Sequence, residues 1–296
     1  MGQLMALLSG VAFAVSNTYN RRSVYFTKES FSPLAVSLGI GILLLFVAML
    51  VSGSASSMSS LSWWGLLSLS AAGIIHFVIG RIFNYTGLRL VGANITAPLM
   101  ATNVLFAALL AWVFLGETLS VVHALGIAAV FVGLALITYS PGGTGAGKIE
   151  RKTLLKGVAA GLAAGLCYGI SPLFVRMGVR EIGSPYAAGF VSYAASGVVV
   201  VFLLARFELR RSLLKIPSSA VPSMITGGVS VTAAQILRYV ALDFLPVNVV
   251  TPLTSTNNLF TPVMSWIVNR KLEVFSIRVM LGTAAMLTGV LIVMFR

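Results

Sequence analysis

The sequence predicts an all-α integral membrane fold, with ten transmembrane helices arranged as two inverted five-helix repeats. Three observations support this prediction: the apolar composition, a series of ten apolar runs and an internal duplication. Of the 296 residues, 58% are hydrophobic and 9% are charged, and the mean hydropathy is +0.98. A soluble domain carries about 25% charged residues. This chain therefore has too few polar side chains to cover a water-facing surface.

The apolar residues fall into ten successive runs. A helix needs about 20 residues to cross the roughly 30 Å hydrocarbon core of a bilayer. The first run resembles a signal-peptide core, but no positive charge precedes it and it takes part in the repeat, so we interpret it as a transmembrane helix. The runs cover residues 4–20, 33–51, 62–88, 93–115, 120–140, 154–175, 185–206, 219–244, 247–269 and 275–295.

The second half of the chain repeats the first. A shift of 154 residues carries 82–112 onto 236–266, with eleven identical residues among 31 positions. The identities include Tyr, Asn, Pro and Trp, which shared hydrophobicity alone does not match. The first run matches the sixth more weakly. Beyond the best-matched segment, the repeat places Glu117, Gly126 and Gly133 over Glu273, Gly282 and Gly289, and near the start it places Gly10 over Gly161.

An odd number of spans in each half inserts the second half into the membrane upside down. Inverted repeats with a binding site between them are typical of secondary transporters. We predict a first five-helix domain at 1–140 and a second at 154–296. A Gly-rich, basic linker at 141–153 joins the two domains.

The net charge of +13 does not indicate a nucleic-acid partner, because the basic residues lie in short gaps between apolar runs. The gaps on one side of the predicted bundle hold fourteen basic residues, against Arg176, Arg180 and Arg296 on the other. The positive-inside rule places the fourteen in the cytoplasm and both termini outside, in a multi-pass protein of the plasma (inner) membrane. The fourteen are Arg21, Arg22, Lys28, Arg89, Lys148, Arg151, Lys152, Lys156, Arg206, Arg210, Arg211, Lys215, Arg270 and Lys271.

Three basic or titratable side chains fall well inside apolar runs: His76, Arg81 and Arg238. A charge at such a depth costs about 2.5–3.5 kcal/mol on insertion scales, so it normally faces a cavity. The alternative is snorkelling, or hydrogen bonding to neighbouring carbonyls. Polar residues at helical spacing accompany the arginines, and further polar residues lie in the first, fourth, sixth and ninth runs. The predicted substrate-binding residues are Asn17, Asn20, His76, Arg81, Asn84, Tyr85, Thr102, Asn103, Tyr168, Ser171, Gln235, Arg238, Tyr239, Thr256 and Asn257.

No carboxylate lies deep in an apolar run. Two arginines without a buried acid favour a substrate that carries a carboxylate or a phosphate, which a planar guanidinium binds in bidentate fashion. The same charge pattern argues against a cation exporter, which needs an acid inside the membrane. For the polar residues of the other runs, contacts between helices are an equally good explanation.

Other motifs indicate structure rather than substrate binding. Gly157, Gly161, Gly165 and Gly169 recur every four residues, as in a close-packing ridge. Glu117 and Glu273 each precede a serine by three residues, and we expect them to set helix ends. The sequence has no phosphate-binding loop, no cluster of metal ligands and no nucleophile with a partnered base. We therefore expect no enzyme activity, no cofactor and no metal site.

The segment Ala97-Pro98-Leu99 through Leu109 to Ser120, followed by Gly126 and Gly133, resembles the drug/metabolite transporter superfamily, in particular its EamA-type branch of ten-helix, twice-repeated proteins. The resemblance covers the whole chain in span number and repeat, and its motif is sharpest around the fourth and fifth runs. It implies export or import of amino acids or other small metabolites. It also implies a central cavity lined by runs 1, 3, 4, 6, 8 and 9.

These observations predict a transporter that moves a small organic metabolite by alternating access, with an amino acid or another carboxylate- or phosphate-bearing solute favoured. The expected partners are the small-molecule substrate and the lipid bilayer, with no nucleic acid, and the expected state is a monomer or a homodimer. Two alternatives remain at this stage. One is a membrane-embedded flippase or enzyme acting on a phosphorylated lipid, and the other is a non-transporting scaffold subunit.

Overall fold

A computed structural model describes residues 1–106, 121–139, 144–145, 149–245, 247–275 and 277–294. Within this part of the chain, the apolar runs form helices, accompanied by a 3₁₀ segment (Ser54–Ser60), a π-helical segment (Ile74–Gly80) and the two-residue strands β1 (Thr144–Gly145) and β2 (Val274–Phe275). The helices are α1 (Gly2–Thr27), α2 (Phe31–Val51), α3 (Trp63–Gly73), α4 (Arg81–Val91), α5 (Ala93–Ala101), α6 (Val121–Tyr139), α7 (Arg151–Ile182), α8 (Pro185–Leu203), α9 (Phe207–Leu214), α10 (Val221–Phe244), α11 (Val247–Ser255), α12 (Asn257–Asn269) and α13 (Ile277–Met294).

Among the described residues, five helical stretches are long and apolar enough to cross a membrane: Phe31–Val51, Trp63–Val91, Arg151–Ile182, Pro185–Leu203 and Val221–Phe244. Two shorter apolar helical stretches accompany them, Leu125–Leu136 and Ile277–Gly289. The all-helical class predicted from the apolar composition is confirmed. Several other sequence predictions concern residues outside the described part, namely Glu117, the end of the fourth run, and residues 141–143 and 146–148 of the linker.

The third apolar run is not the uninterrupted helix that its sequence predicts. Its α-helical ends, α3 and α4, flank the π-helical turn Ile74–Gly80. A glycine stands at each border of this turn. A Cβ at Gly73 would overlap the backbone carbonyl of Ser192 on α8, so the helices approach each other closely there. π-helical turns inside α-helices occur frequently at functional sites, and this one carries His76.

The fourth and ninth runs are interrupted at equivalent positions of the repeat. α5 ends before Thr102, and α11 ends before Thr256. The Thr102 hydroxyl donates to the Leu99 carbonyl over 2.6 Å, and the Thr256 hydroxyl donates to the Leu253 carbonyl over 2.7 Å. Each threonine thus satisfies a backbone acceptor where its helix is interrupted. Discontinuous helices of this kind commonly line transporter binding sites.

Helices α6 and α13, which are equivalent in the repeat, pack against each other through glycines. A Cβ at Gly133 would meet the Gly282 carbonyl, and a Cβ at Gly289 would meet the Gly126 carbonyl. The partner number falls as the residue number rises, so the two helices run antiparallel. The two contacts also exchange under the repeat, because Gly126 and Gly133 correspond to Gly282 and Gly289.

The contacts of the first helix change one alignment made from sequence. Gly10 lies against Thr256 and the carbonyls of residues 253 and 254, whereas Gly165 lies against Thr102 and the carbonyls of residues 99 and 100. These are the same contacts in the two repeats, so Gly10 corresponds to Gly165 and not to Gly161. Glycine recurs every four residues along α7, and a register error of one helical turn therefore leaves the pattern of small residues unchanged. The predicted close-packing ridge itself is confirmed, because a Cβ at any of its four glycines would contact α4, α5 or the residues that follow α5.

The connections between helices that the structure describes gather at two ends of the bundle. At the first, which we call the basic end, Arg89 donates to the Lys28 carbonyl over 2.8 Å, and Ser32 bonds Ser212. Strand β1 pairs with β2 at the same end. At the opposite end, the Ser62 amide donates to Glu181. Gly2 lies against Leu245 there.

The basic end brings together the gaps that hold the basic residues counted from sequence, apart from Lys148, which lies outside the described residues. Arg278, which that count omitted, is exposed at the start of α13, next to β2. The asymmetry of charge between the two ends is therefore larger than predicted.

Candidate functional site

A polar cavity lies about midway along the helices. The space between protein atoms here is about 720 Å³, part of it open to solvent. The residues that line the cavity belong to α1, the π-helical turn, α4, α5, α7, α10, α11 and α12, and Asn103, just after α5, is also among them. These elements belong to runs 1, 3, 4, 6, 8 and 9, the set that the family resemblance implied. The lining residues are Phe13, Ser16, Asn17, Asn20, His76, Arg81, Asn84, Tyr85, Met100, Asn103, Tyr168, Val231, Gln235, Arg238, Thr254, Ser255, Asn257 and Asn258.

Eleven of the fifteen residues predicted to bind substrate line this cavity, and all three midspan basic or titratable residues are among them. Thr102, Ser171, Tyr239 and Thr256 do not line it. The two threonines satisfy carbonyls at the helix interruptions. Ser171 does not line the cavity itself but forms a hydrogen bond with His76, which does. Tyr239 packs in an apolar cluster with residues of α3, α7 and α8.

Sequence reasoning missed seven of the lining residues. Phe13, Met100 and Val231 are apolar and have no feature that separates them from other lipid-facing or core residues. Spacing offered a clue in one case, because Ser16 precedes Asn20 by one helical turn and accepts a hydrogen bond from its amide over 2.8 Å. The other three lining residues that sequence reasoning missed are Thr254, Ser255 and Asn258.

His76 connects the two halves of the chain across the cavity. Its Nδ1 lies 2.7 Å from the Ser171 hydroxyl, and its Nε2 lies 2.9 Å from the Gln235 amide nitrogen. Its ring also packs on Tyr168, with the ring centres 4.4 Å apart. Both ring nitrogens are therefore engaged. The imidazole acts as a bridge from the π-helical turn to α7 and α10.

Arg81 is held by the protein on every side. Its guanidinium donates to the Ser37 hydroxyl over 3.1 Å and to the Tyr193 hydroxyl over 2.8 Å. The same group lies 5.0 Å from the ring centre of Phe77 and 5.4 Å from that of Tyr193. Aromatic faces attract a cation electrostatically, which explains how this charge is accommodated without an acid. The side chain is 2% exposed.

Arg238 has a different environment. It is half-buried, and it lines the cavity together with Gln235, one turn earlier on α10. Among the residues that the structure describes, none accepts a hydrogen bond from its guanidinium and none forms an ion pair with it. Of the lining residues that the structure describes, none carries a carboxylate. Its five N–H donors are thus available to a ligand.

The cavity also presents free acceptors. The side-chain carbonyl oxygens of Asn84, Asn103, Gln235 and Asn258 are buried and have no hydrogen-bond partner in the described part of the chain. A buried polar atom without a partner costs about 1–3 kcal/mol. A ligand or water that donates to these amides would offset this cost. The lining therefore combines cationic donors with neutral acceptors.

At the basic end, a buried ion pair joins Arg21 of the first half to Glu273 of the second half. The Arg21 Nε lies 3.4 Å from a Glu273 carboxylate oxygen, and the guanidinium donates to the carbonyls of Leu88, Arg89 and Leu272. Glu273 is fully buried. Burial raises the pKa of the Glu273 carboxyl, whereas the charge of Arg21 opposes this shift.

Glu273 sets a helix end, as its spacing to a serine led us to expect, and the helix is α5 in the other half of the chain. It accepts hydrogen bonds from the backbone N–H groups of Ala93 and Asn94, at the start of α5 in the other half of the chain. A carboxylate at a helix N-terminus satisfies free donors and complements the helix dipole. The same shift that relates Gly10 to Gly165 carries Arg21 onto Arg176, which is exposed near the opposite end.

An all-α bundle of apolar helices around a polar midspan cavity is the architecture of a multi-pass membrane protein, and it is compatible with transport of a small solute. A family model, that of the EamA-like transporter family, matches residues 1–139 and 155–295. The chain belongs to this family, and the resemblance stated from its sequence motif is confirmed. The two matched segments correspond to the two repeats.

Two further comparisons bear on fold. A crystal structure of another protein is similar to this chain, with a TM-score of 0.64 and 16% sequence identity, over 97% of this chain and 95% of that chain. This similarity concerns the fold alone. A search of the curated proteins found no match.

Proposed function

We propose that the chain is a secondary transporter of ten spans, in which two inverted five-span repeats rock about the midspan cavity. The antiparallel packing of α6 on α13 supports the inversion, because equivalent helices of inverted repeats run in opposite directions. The gathering of connections at two ends supports the span number. Interrupted helices in both repeats, at Thr102 and Thr256, are typical of transporters with a site at the repeat interface.

The proposed substrate is a small organic solute that carries a carboxylate or a phosphate. The observation that carries this proposal is the Arg238 guanidinium, which faces the cavity with no protein acceptor in the described part of the chain. Amide oxygens without partners favour a solute that also has a donor group, such as the ammonium of an amino acid. A solute with both features would engage both kinds of lining group.

The two arginines then have different roles. Arg81 is positioned by Ser37, Tyr193 and two aromatic faces, so it contributes positive potential and holds α4 against α2 and α8. Arg238 contacts the anionic group of the solute. This division replaces the equivalent roles that the sequence predicted for the pair.

Several finer points remain predictions within this proposal. The domain limits at 1–140 and 154–296, the plasma-membrane location and the monomeric or homodimeric state are among them. The charge asymmetry between the two ends supports a cytoplasmic basic end. An enzyme or flippase acting on a phosphorylated lipid is less favoured, because hydrolytic or transfer chemistry needs an acid–base pair and the described lining residues include no carboxylate.

Counterflow in proteoliposomes tests the proposal. Vesicles loaded with an excess of one unlabelled candidate solute should accumulate the labelled form of the same solute, driven only by the outward gradient of the unlabelled form. We expect counterflow for an anionic or zwitterionic metabolite, and inhibition by its close analogues. If only purely cationic solutes exchange, the proposed substrate class is wrong. If the protein exchanges no member of a broad panel of metabolites but moves lipid, the flippase alternative replaces the proposal.

A further inference from the structure

The short helix α9 connects α8 to α10 at the basic end, and one of its faces is fixed to the bundle. Leu209 and Leu213 pack against the apolar cluster that includes residues of α2. The Ser32 hydroxyl donates to the Ser212 hydroxyl over 3.3 Å. Because these three residues of α9 are neighbours on a helix surface, the opposite face points away from the protein.

The outward face combines apolar and cationic side chains. Phe207 is 74% exposed and Leu214 is 79% exposed. They are seven residues apart and so lie on the same side of the helix. Arg210 and Arg211 flank them, and both are exposed.

Exposed cations also stand at both borders of the helix. Arg206 precedes α9 and Lys215 follows it, so four cations oppose a single acid, Glu208. In the part of the chain that the structure describes, none of the four cations forms an ion pair. Their charge is therefore available to a partner outside the chain.

This pattern fits one kind of partner, an anionic membrane surface. A helix at the membrane boundary buries its apolar face at the junction of headgroups and acyl chains, and its basic residues attract anionic lipids. Guanidinium groups bind phosphate oxygens with two parallel hydrogen bonds. We propose that the outward face of α9 is a binding surface for anionic phospholipids, with the lipid phosphate on Arg210 and Arg211 and the acyl region against Phe207 and Leu214. This surface is separate from the midspan cavity and does not depend on which solute is carried.

Lipid-dependent fluorescence quenching tests the proposal on the full chain. A bimane label is attached to Leu214→Cys in a Cys167→Ala background, and the protein is reconstituted in phosphatidylcholine vesicles. About one lipid in five is then replaced by brominated phosphatidylglycerol or, separately, by brominated phosphatidylcholine. We expect the anionic lipid to quench at least about twofold more strongly, because each basic residue near the surface attracts anionic lipid. The preference should weaken as salt is raised.

A charge-removal variant and a matched control complete the experiment. Replacing Arg206, Arg210, Arg211 and Lys215 with Gln should abolish the preference for the anionic lipid. The R176Q/R180Q variant, which removes exposed arginines near the opposite end, should retain it. Equal quenching by the two lipids in the labelled protein that keeps its charges would overturn the proposal, as would the absence of quenching by either lipid. The salt titration uses that same protein, so the test does not depend on the folding of the charge-removal variant.

Discussion

Replacing Arg238 with Gln is the most direct test of the proposed substrate class. Glutamine keeps hydrogen-bonding capacity and removes the charge. Since no described residue pairs with Arg238, the substitution leaves no protein group newly orphaned, and its effect should fall on the ligand. A hydrogen bond to a charged group contributes about 1.5–3 kcal/mol net. At about 1.4 kcal/mol for each factor of ten, the variant should bind an anionic or zwitterionic substrate about 10- to 150-fold more weakly.

The assay compares two ligands in the same preparations of wild type and variant. Binding is measured by calorimetry or scintillation proximity, first with the substrate that shows counterflow and then with a neutral analogue that lacks its acidic group. The affinity for the neutral analogue should fall much less than tenfold between wild type and the Arg238→Gln variant. Arg81→Gln is the companion variant, because loss of its bonds to Ser37 and Tyr193 should lower thermal stability as well. Equal weakening of both ligands by Arg238→Gln, or a best ligand that is a pure cation, would refute the reasoning.

Three further predictions concern the rest of the fold. A cysteine at Thr144 in a cysteine-free background should resist an impermeant reagent added outside intact cells, because β1 lies at the basic end; labelling from outside would reverse the proposed orientation. Arg21→Gln should lower the free energy of unfolding by about 3 kcal/mol because it breaks a buried ion pair, whereas exposed Arg22→Gln should cost less than 1 kcal/mol; equal effects in chemical denaturation would contradict this. Gly73→Ala should lower the melting temperature, since its Cβ would overlap the backbone of α8, and Gly39→Ala should not, because nothing lies within 4 Å of its Cβ; a melting temperature unchanged in both variants would argue against the close approach.

The repeat and the position of the cavity were predictable because they depend on residue identity and spacing. Asn103 and Asn257 occupy equivalent positions, and both line the cavity. The repeat does not extend to every side chain, however. Tyr85 and its equivalent Tyr239 both pack in apolar clusters, but only Tyr85 of the two also lines the cavity.

Other features depend on contacts between distant segments, which no local pattern reveals. The different roles of Arg81 and Arg238 arise because Tyr193 and Ser37 reach only the former. The π-helical turn at His76 has no signature in an apolar run. For the same reason, the spacing of Glu273 to a serine predicted a role at a helix end but not which helix, since its acceptor role depends on α5 in the other half.

The buried pair of Arg21 and Glu273 has a consequence for the resting population of the carrier. In the proposed rocking cycle, opening the basic end separates this pair, whereas Arg176, the repeat equivalent of Arg21, is already exposed near the opposite end. Removing one partner of a buried pair costs about 3–5 kcal/mol because the other charge stays buried. Opening the end instead hydrates both charges, so the pair favours the state closed at the basic end by less than the roughly 150 to one that about 3 kcal/mol would give, at about 1.4 kcal/mol for each tenfold change. A solute can shift this ratio only by binding the two states with different affinities. The strength of one buried ion pair would thus set how selective the solute must be between the two states before it can cross.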